Sequence, residues 1–177
     1  MTVSLVIDTA TSRTIVGLVK DGEALWQGLH DGATDHGNAV AVLVKQALAA
    51  GVNPDRVVVG MGPGPFTGLR VGIAFARAFA AARNIEVIGI CSLDAIVVDH
   101  DDYTVAIDAR RKEIYWARYK AGKRIEGPEV NFPADVEGFI IDRYPDVARL
   151  VELSDSQNIY EPFYLRRPDA VATADRI

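Results

Sequence analysis

The chain has 177 residues, 49% of them hydrophobic and 24% charged, with a net charge of −5 and a pI near 5.2. That composition argues against a disordered tail, a disulfide-stapled miniature (Cys91 is its one cysteine) and an autonomous nucleic-acid binder, which needs a basic footprint. At this length roughly 70% of the unfolded surface can be buried, so one large domain or two small lobes is expected.

The run from Val3 to Asp8 reads as a short apolar strand. Asp8 interrupts it where a secretory leader would still be apolar, so no leader is expected. No stretch approaches the ~20 apolar residues of a membrane-spanning helix. The expected location is the cytoplasm, and Cys91, set in the apolar run Val87 to Cys91, reads as a buried structural thiol. After a polar turn, Thr14 to Val19 forms a second strand, and Lys20-Asp21-Gly22-Glu23 is a hairpin turn leading into Ala24-Leu25-Trp26. His36 to Ala50 has helical spacing and ends at Gly51 as a C-cap. Arg56 to Gly60 is a strand, Thr67 to Arg83 a helix and Glu86 to Ile90 a strand. The order is β-β-β-α-β-α-β.

A repeat then becomes visible. Shifted by one hundred positions, Ile7-Asp8 falls on Ile107-Asp108, Lys20 on Lys120 and Gly22 on Gly122. Each copy is an apolar strand ending in Asp, a polar turn, a second strand and a glycine turn. A duplicated α/β chain opening this way resembles the superfamily of actin, hsp70 and sugar kinases, in which two lobes face each other and the Asp-bearing hairpins contact nucleotide phosphates. The division expected is residues 1–100 as the first lobe and 101–177 as a truncated second lobe, broken by Tyr144-Pro145-Asp146 and Glu161-Pro162.

Between them lies a strand, a Gly/Pro loop from Gly60 to Pro65 and a helix start. The glycines permit positive φ and close backbone approach, and the prolines stiffen the turn. Thr67 is the expected N-cap. Such a helix start can hold an anion; a rigid strand-to-helix connection with no ligand fits the same residues equally well. The Lys-Ser/Thr of a Walker A loop is missing, so that reading is rejected.

Four blocks carry a more specific resemblance. Ile7-Asp8-Thr9-Ala10-Thr11, the run Gly62 to Gly72, Ile107-Asp108-Ala109-Arg110 with Glu113-Ile114-Tyr115, and Pro162-Phe163-Tyr164-Leu165-Arg166 resemble the TsaB (YeaZ) family of threonylcarbamoyladenosine biosynthesis proteins. Gly62, Gly64, Phe66, Thr67 and Gly68 belong to the signature loop, where Pro65 replaces the usual Ser. The resemblance implies a fold like that of TsaD, the catalytic subunit that transfers a threonylcarbamoyl group to the adenosine beside the tRNA anticodon. It also implies a non-catalytic role: pairing with a TsaD-like subunit, helping to recruit a TsaE-like ATPase, forming a homodimer when alone, and meeting tRNA only through the complex.

No cofactor is expected. TsaD-like relatives hold a metal through a His-x-x-x-His pair, and the matching stretch here, Ile90 to Ala95, has no histidine. His30, His36 and His100 show no ligand spacing. Asp8 and Asp108, with Thr11, could form a vestigial nucleotide site serving a small phosphotransferase or nucleotide hydrolase. The alternative, favoured by the short second lobe, is that each Asp accepts backbone hydrogen bonds in its own turn.

Both helices read as apolar almost all round, and an exposed apolar patch marks an interface. The surface expected to meet the partner comprises Val40, Leu43 and Ala47 on the first helix with Ile73 and Ala74 on the second, rimmed by Arg70 and Arg77. The competing reading covers both helices with the second lobe. Tyr164-Leu165-Arg166-Arg167 is basic and aromatic, and is expected to pack back on the fold rather than contact RNA.

Overall fold

The computed structural model describes residues 1–166. In chain order it contains β1 (Val3–Asp8), β2 (Arg13–Lys20), β3 (Glu23–Asp31), α1 (His36–Leu48), β4 (Arg56–Gly60), α2 (Phe66–Arg83) and β5 (Glu86–Ile90). There follow β6 (Asp102–Asp108), β7 (Ile114–Lys120), β8 (Lys123–Asn131), β9 (Phe139–Ile140) and α3 (Val147–Leu153). The first sheet runs β3-β2-β1-β4-β5 and the second β8-β7-β6-β9. Strand β1 is antiparallel to β2 and parallel to β4. Its unbroken run of buried residues suits a central strand covered on both faces.

The alternation along β1, β2 and β4 sends Leu5, Ile7, Val16, Val57 and Val59 to one face, where Val40, Val44, Leu69 and Ile73 of α1 and α2 close the core. Val6, Ile15, Val19, Val58 and Ile88 point the other way and meet Val147, Leu150 and Val151 of α3. Sequence position therefore does not assign α3 to the second sheet. The chain beyond it also returns to the first lobe: Ile159 N–H donates to the Gly89 carbonyl at 2.8 Å and Phe163 N–H to the Met61 carbonyl at 2.9 Å.

The duplication read from the sequence is physical. Both hairpins turn through two left-handed residues, Asp21-Gly22 (φ 50° and 86°) and Ala121-Gly122 (φ 49° and 72°), as two-residue hairpin turns require. Asp8 Oδ1 accepts Ala10 N–H at 2.9 Å, and Asp108 Oδ1 accepts Arg110 N–H at 2.8 Å. This is an α/β arrangement of two sheets whose second half repeats the opening hairpin of the first.

Three elements differ locally from expectation. Strand β3 extends to Asp31, where the Arg13 guanidinium grips the Asp31 carboxylate at 2.7 and 3.1 Å. Helix α1 ends at Leu48, two residues before Ala50. Thr67 does not cap α2: the N-cap is Pro65, with φ −57° and ψ 130°, and no side chain caps it. The proline fixes the entry angle, and Leu69 N–H reaches its carbonyl at 3.0 Å. Among the described residues no helix is long and apolar enough to cross a membrane.

Candidate functional site

The loop between β4 and α2 hangs on a chain of buried hydrogen bonds. Asp8, fully buried at the end of β1, accepts the Ser92 hydroxyl at 2.6 Å; Ser92 Oγ in turn accepts Gly62 N–H at 3.2 Å. Ser92 N–H donates to the Gly62 carbonyl at 2.8 Å, so loop and serine are tied twice. Burial pushes the Asp8 carboxyl up to about 6, against the opposing pull of the Ser92 and Ala10 hydrogen bonds.

The signature glycines seat α2 on the β1–β2 turn. Thr9 Oγ1 donates to the Gly68 carbonyl at 2.8 Å and accepts Gly72 N–H at 3.2 Å. A methyl group at Gly72 would collide with that hydroxyl, and one at Gly64 with the Ala10 backbone. The spacing of these glycines is thereby accounted for by close backbone approach.

Above this seat, a cleft of about 700 Å³ separates the first lobe from the β6–β7 turn. Thr11, Gly64, Phe66 and Thr67 line one side, and Arg110, Arg111 and Arg166 the other. Arg166 donates to the Ala109 carbonyl at 3.0 Å and pairs with Glu113, which fixes its stem against the turn. His36 lies in the wall, bonded through Nδ1 to Thr14 Oγ1 at 2.8 Å, and burial pushes its imidazole below the usual range. The two repeat aspartates do not meet. Asp8 is sealed beneath the loop, while Asp108 is exposed with Arg110 3.6 Å away. Only Thr11 of the three proposed nucleotide-site residues lines the cleft. Among the described residues no group of three His, Cys, Asp or Glu side chains is placed to hold a metal ion. Cys91 is buried, and burial pushes its thiol up to about 12.

The helix face expected to meet a partner needs correction. Val40, Leu43, Ala47 and Ile73 are only 0%, 8%, 0% and 4% exposed, all within the core under the first sheet. They close the chain's own interior and cannot offer their side chains to a second protein. Arg70, Ala74 and Arg77, expected on that surface, lie on the outward side of α2 together with Ala78, and the outward side of α1 carries Ala41, Val42 and Lys45. Phe75 and Phe79 are half-buried at the edge, their rings stacked 6.3 Å apart, with Arg83 over Phe79 at 4.6 Å. Arg77 donates to the carbonyl of Tyr160 at 3.1 Å, and Tyr160 is 74% exposed.

The C-terminal block packs back on the fold. Phe163 and Leu165 join the core of the second sheet, and Tyr164 tilts against Phe66 with centroids 4.9 Å apart. Arg167 and the rest of the second lobe's expected span to residue 177 lie outside the described residues. Sequence reasoning missed Ser92, Arg110, Arg111 and Arg166 as site residues. The Arg110-Arg111-Lys112 run was the available signal for the cleft's charge; Ser92 offered none, since its partner is eighty-four positions away.

A two-lobed α/β protein with a glycine-seated helix and paired Asp hairpins is the class this architecture defines. The family model described as "TsaD: tRNA N6-adenosine threonylcarbamoyltransferase" matches residues 31–171. The chain belongs to this TsaD-type family. Uncharacterized proteins of Mycobacterium leprae and Mycobacterium tuberculosis are 41% and 40% identical; the alignments cover 96% and 94% of this chain, and 56% and 92% of those proteins. The tRNA threonylcarbamoyladenosine biosynthesis protein TsaB of Escherichia coli is 30% identical over 126 residues, covering 66% of this chain. This chain spans about half, 54%, of that relative's length. In fold it is similar to a Pseudomonas aeruginosa crystal structure described as resembling peptidase YeaZ. The TM-score is 0.79 at 23% identity, covering 94% of this chain and 100% of that one.

Proposed function

We propose that this chain is a non-catalytic accessory subunit in the biosynthesis of threonylcarbamoyladenosine in tRNA. It pairs through the outward side of α1 and α2 with a TsaD-type catalytic subunit, and helps recruit a TsaE-type ATPase. The observation that carries the reading is the outward side of α2: small apolar residues, Ala74 and Ala78, alongside Arg70 and Arg77, on a helix whose Leu69 and Ile73 face the core. Small side chains let a second helix approach closely, and flanking arginines supply a polar rim. When no catalytic subunit is present, the same face would hold a second copy of this chain. The family's presence in tRNA modification supplies the reaction; tRNA would be met only within the complex. Sealing of Asp8 beneath the loop supports a subunit without phosphotransfer chemistry of its own.

The test is association with a TsaD-type subunit, measured by titration calorimetry, together with threonylcarbamoyl transfer to tRNA reconstituted with and without this chain. Ala74→Asp sets a carboxylate on the exposed face and should weaken association at least about tenfold while leaving the melting temperature unchanged, as surface substitutions do. Ile73→Asp, by contrast, buries a charge in the core and should unfold the protein. Unchanged association and transfer with Ala74→Asp would place the partner elsewhere.

A further inference from the structure

The outer strands of a sheet present N–H and C=O groups to which another chain can add, and natural proteins blunt such edges. Among the described residues, the edges formed by β5, β8 and β9 are blunted. Along β5, Gly89 N–H donates to Asn158 Oδ1 at 3.1 Å and the Gly89 carbonyl accepts Ile159 N–H, so the returning chain covers that edge. Strand β8 carries Pro128, the charged residues Lys123, Arg124, Glu126 and Glu129, and two register shifts, while β9 has only two residues. Strand β3 is different. It runs nine residues without proline, with Leu25 and Leu29 each 49% exposed. Its one irregularity, opposite Leu18 and Val19, lies near its start, and the pairing from Trp26 to Asp31 is regular.

The register fixes which groups face outward. Gly32 N–H donates to the Ser12 carbonyl at 3.1 Å, continuing the pairing of Arg13 with Asp31. Hydrogen bonding to a given neighbour alternates along an antiparallel strand, so Asp31, Leu29 and Gln27 direct their N–H and C=O away from β2. Gly28 faces α1, where an added methyl would meet Leu43, so Leu29 and Gln27 project their side chains from the opposite face. A second copy of this chain complements such an edge in one register, since two-fold pairing sets the strand against itself. An axis at Gln27 would bring Glu23 opposite Asp31, and like charges so placed destabilise a pair. An axis at Gly28 would bring Leu25 opposite Asp31. An axis at Leu29 sets Leu29 against Leu29 and Gln27 against Asp31, whose carboxylate, gripped by Arg13, keeps lone pairs for the Gln27 amide. We propose that β3 pairs antiparallel with β3 of a second copy of this chain about a two-fold axis at Leu29, joining the two five-stranded sheets into one. The contact lies apart from the outward side of α1 and α2 and does not rest on the accessory-subunit reading.

The experiment uses the full chain. Leu29→Cys places two thiols across the axis, with Cα atoms about 5.5 Å apart as in a hydrogen-bonded pair, within disulfide range. Gln27→Cys places exposed thiols four residues out of register, about 14 Å apart along the strands and beyond that range. In a glutathione redox buffer Leu29→Cys should therefore form a disulfide dimer at least about tenfold faster than Gln27→Cys, read on non-reducing gels. Cys91 is buried and common to both. Sedimentation equilibrium of the unaltered chain should show monomer and dimer exchanging. Leu29→Lys, which puts a charge on the edge, should weaken that dimer at least about tenfold, and Ala74→Asp on α2 should leave it unchanged. A chain that stays monomeric at millimolar concentration overturns the proposal. So do equal disulfide rates for the two cysteine variants, or a dimer broken by Ala74→Asp but not by Leu29→Lys, in proteins with native melting temperatures.

Discussion

Asp8→Asn tests the buried hydrogen-bond chain beneath the signature loop. In the folded protein the Asp8 carboxyl is pushed from 3.8 to about 6, with burial the largest cause. Two pKa units and a fraction, at about 1.4 kcal/mol each, make about 3 kcal/mol of differential stability between its protonated and ionised forms. The sign follows from which state holds the proton. Between about pH 4 and about pH 6 the native protein binds more protons at this site than the unfolded chain does. Its contribution is therefore fully present below the unfolded pKa and is lost as pH rises through the folded one. The Asn variant carries no titrating group there. Its Oδ1 can still accept Ala10 N–H, but its amide cannot accept the Ser92 hydroxyl, so it is offset by a constant amount at every pH. Urea unfolding of both proteins at several pH values isolates the slope. The wild type should lose up to about 3 kcal/mol relative to the variant as pH is raised across the window. A difference that stays flat would mean that the carboxylate is hydrated or paired with a cation in solution, and that something other than Asp8 and Ser92 holds the loop.

Two further outcomes follow from the same packing. Gly72→Ala drives a methyl group into the Thr9 hydroxyl that bonds both Gly68 and Gly72. It should lower stability by about 1–3 kcal/mol, the usual penalty for overpacking, read as a fall in melting temperature. A native-like melt would show that α2 can lift off the turn at little expense. Cys91, buried with its thiol pushed up to about 12, should be alkylated by iodoacetamide only as fast as the protein opens, and rapidly in denaturant. Fast labelling of the native chain, followed by mass spectrometry, would contradict that burial.

The elements that were legible in the sequence are those in which local pattern and final environment agree. Val3 to Asp8 is apolar at nearly every position because both faces of β1 are covered. The hundred-residue repeat was readable because each hairpin needs a carboxylate at its first strand end and a left-handed glycine at its tight turn, whatever else surrounds it. Helix α3 was not placed. Val147, Leu150 and Val151 have helical spacing, but which sheet they cover is decided by the path of the chain after β9, a long-range matter that periodicity does not carry. Ser92 was invisible for the same reason: a serine after a strand has no local mark of the carboxylate it will meet.

The partner face was misread for a more particular reason. A helical wheel separates stripes of side chains but does not say which stripe faces inward when alanine occupies both. On α2, Ala76 and Ala80 are 0% and 1% exposed, whereas Ala74 and Ala78 lie outside. The large residues settle the direction, since Leu69 and Ile73 fill the space under β1 and β4 and leave the outer stripe to small ones. An outer stripe of alanines buries little area per residue, so it contributes shape rather than much free energy. The energetic anchors of an interface there would be the larger groups at its two borders, Phe75 and Phe79 on one and Arg70 and Arg77 on the other. Hot spots concentrate in aromatic and arginine side chains of this kind. Ala74→Asp disrupts such an interface by intruding on its centre, whereas Phe79→Ala would weaken it by removing an anchor. The ratio of the two effects on association distinguishes a close helix pair from a looser edge contact.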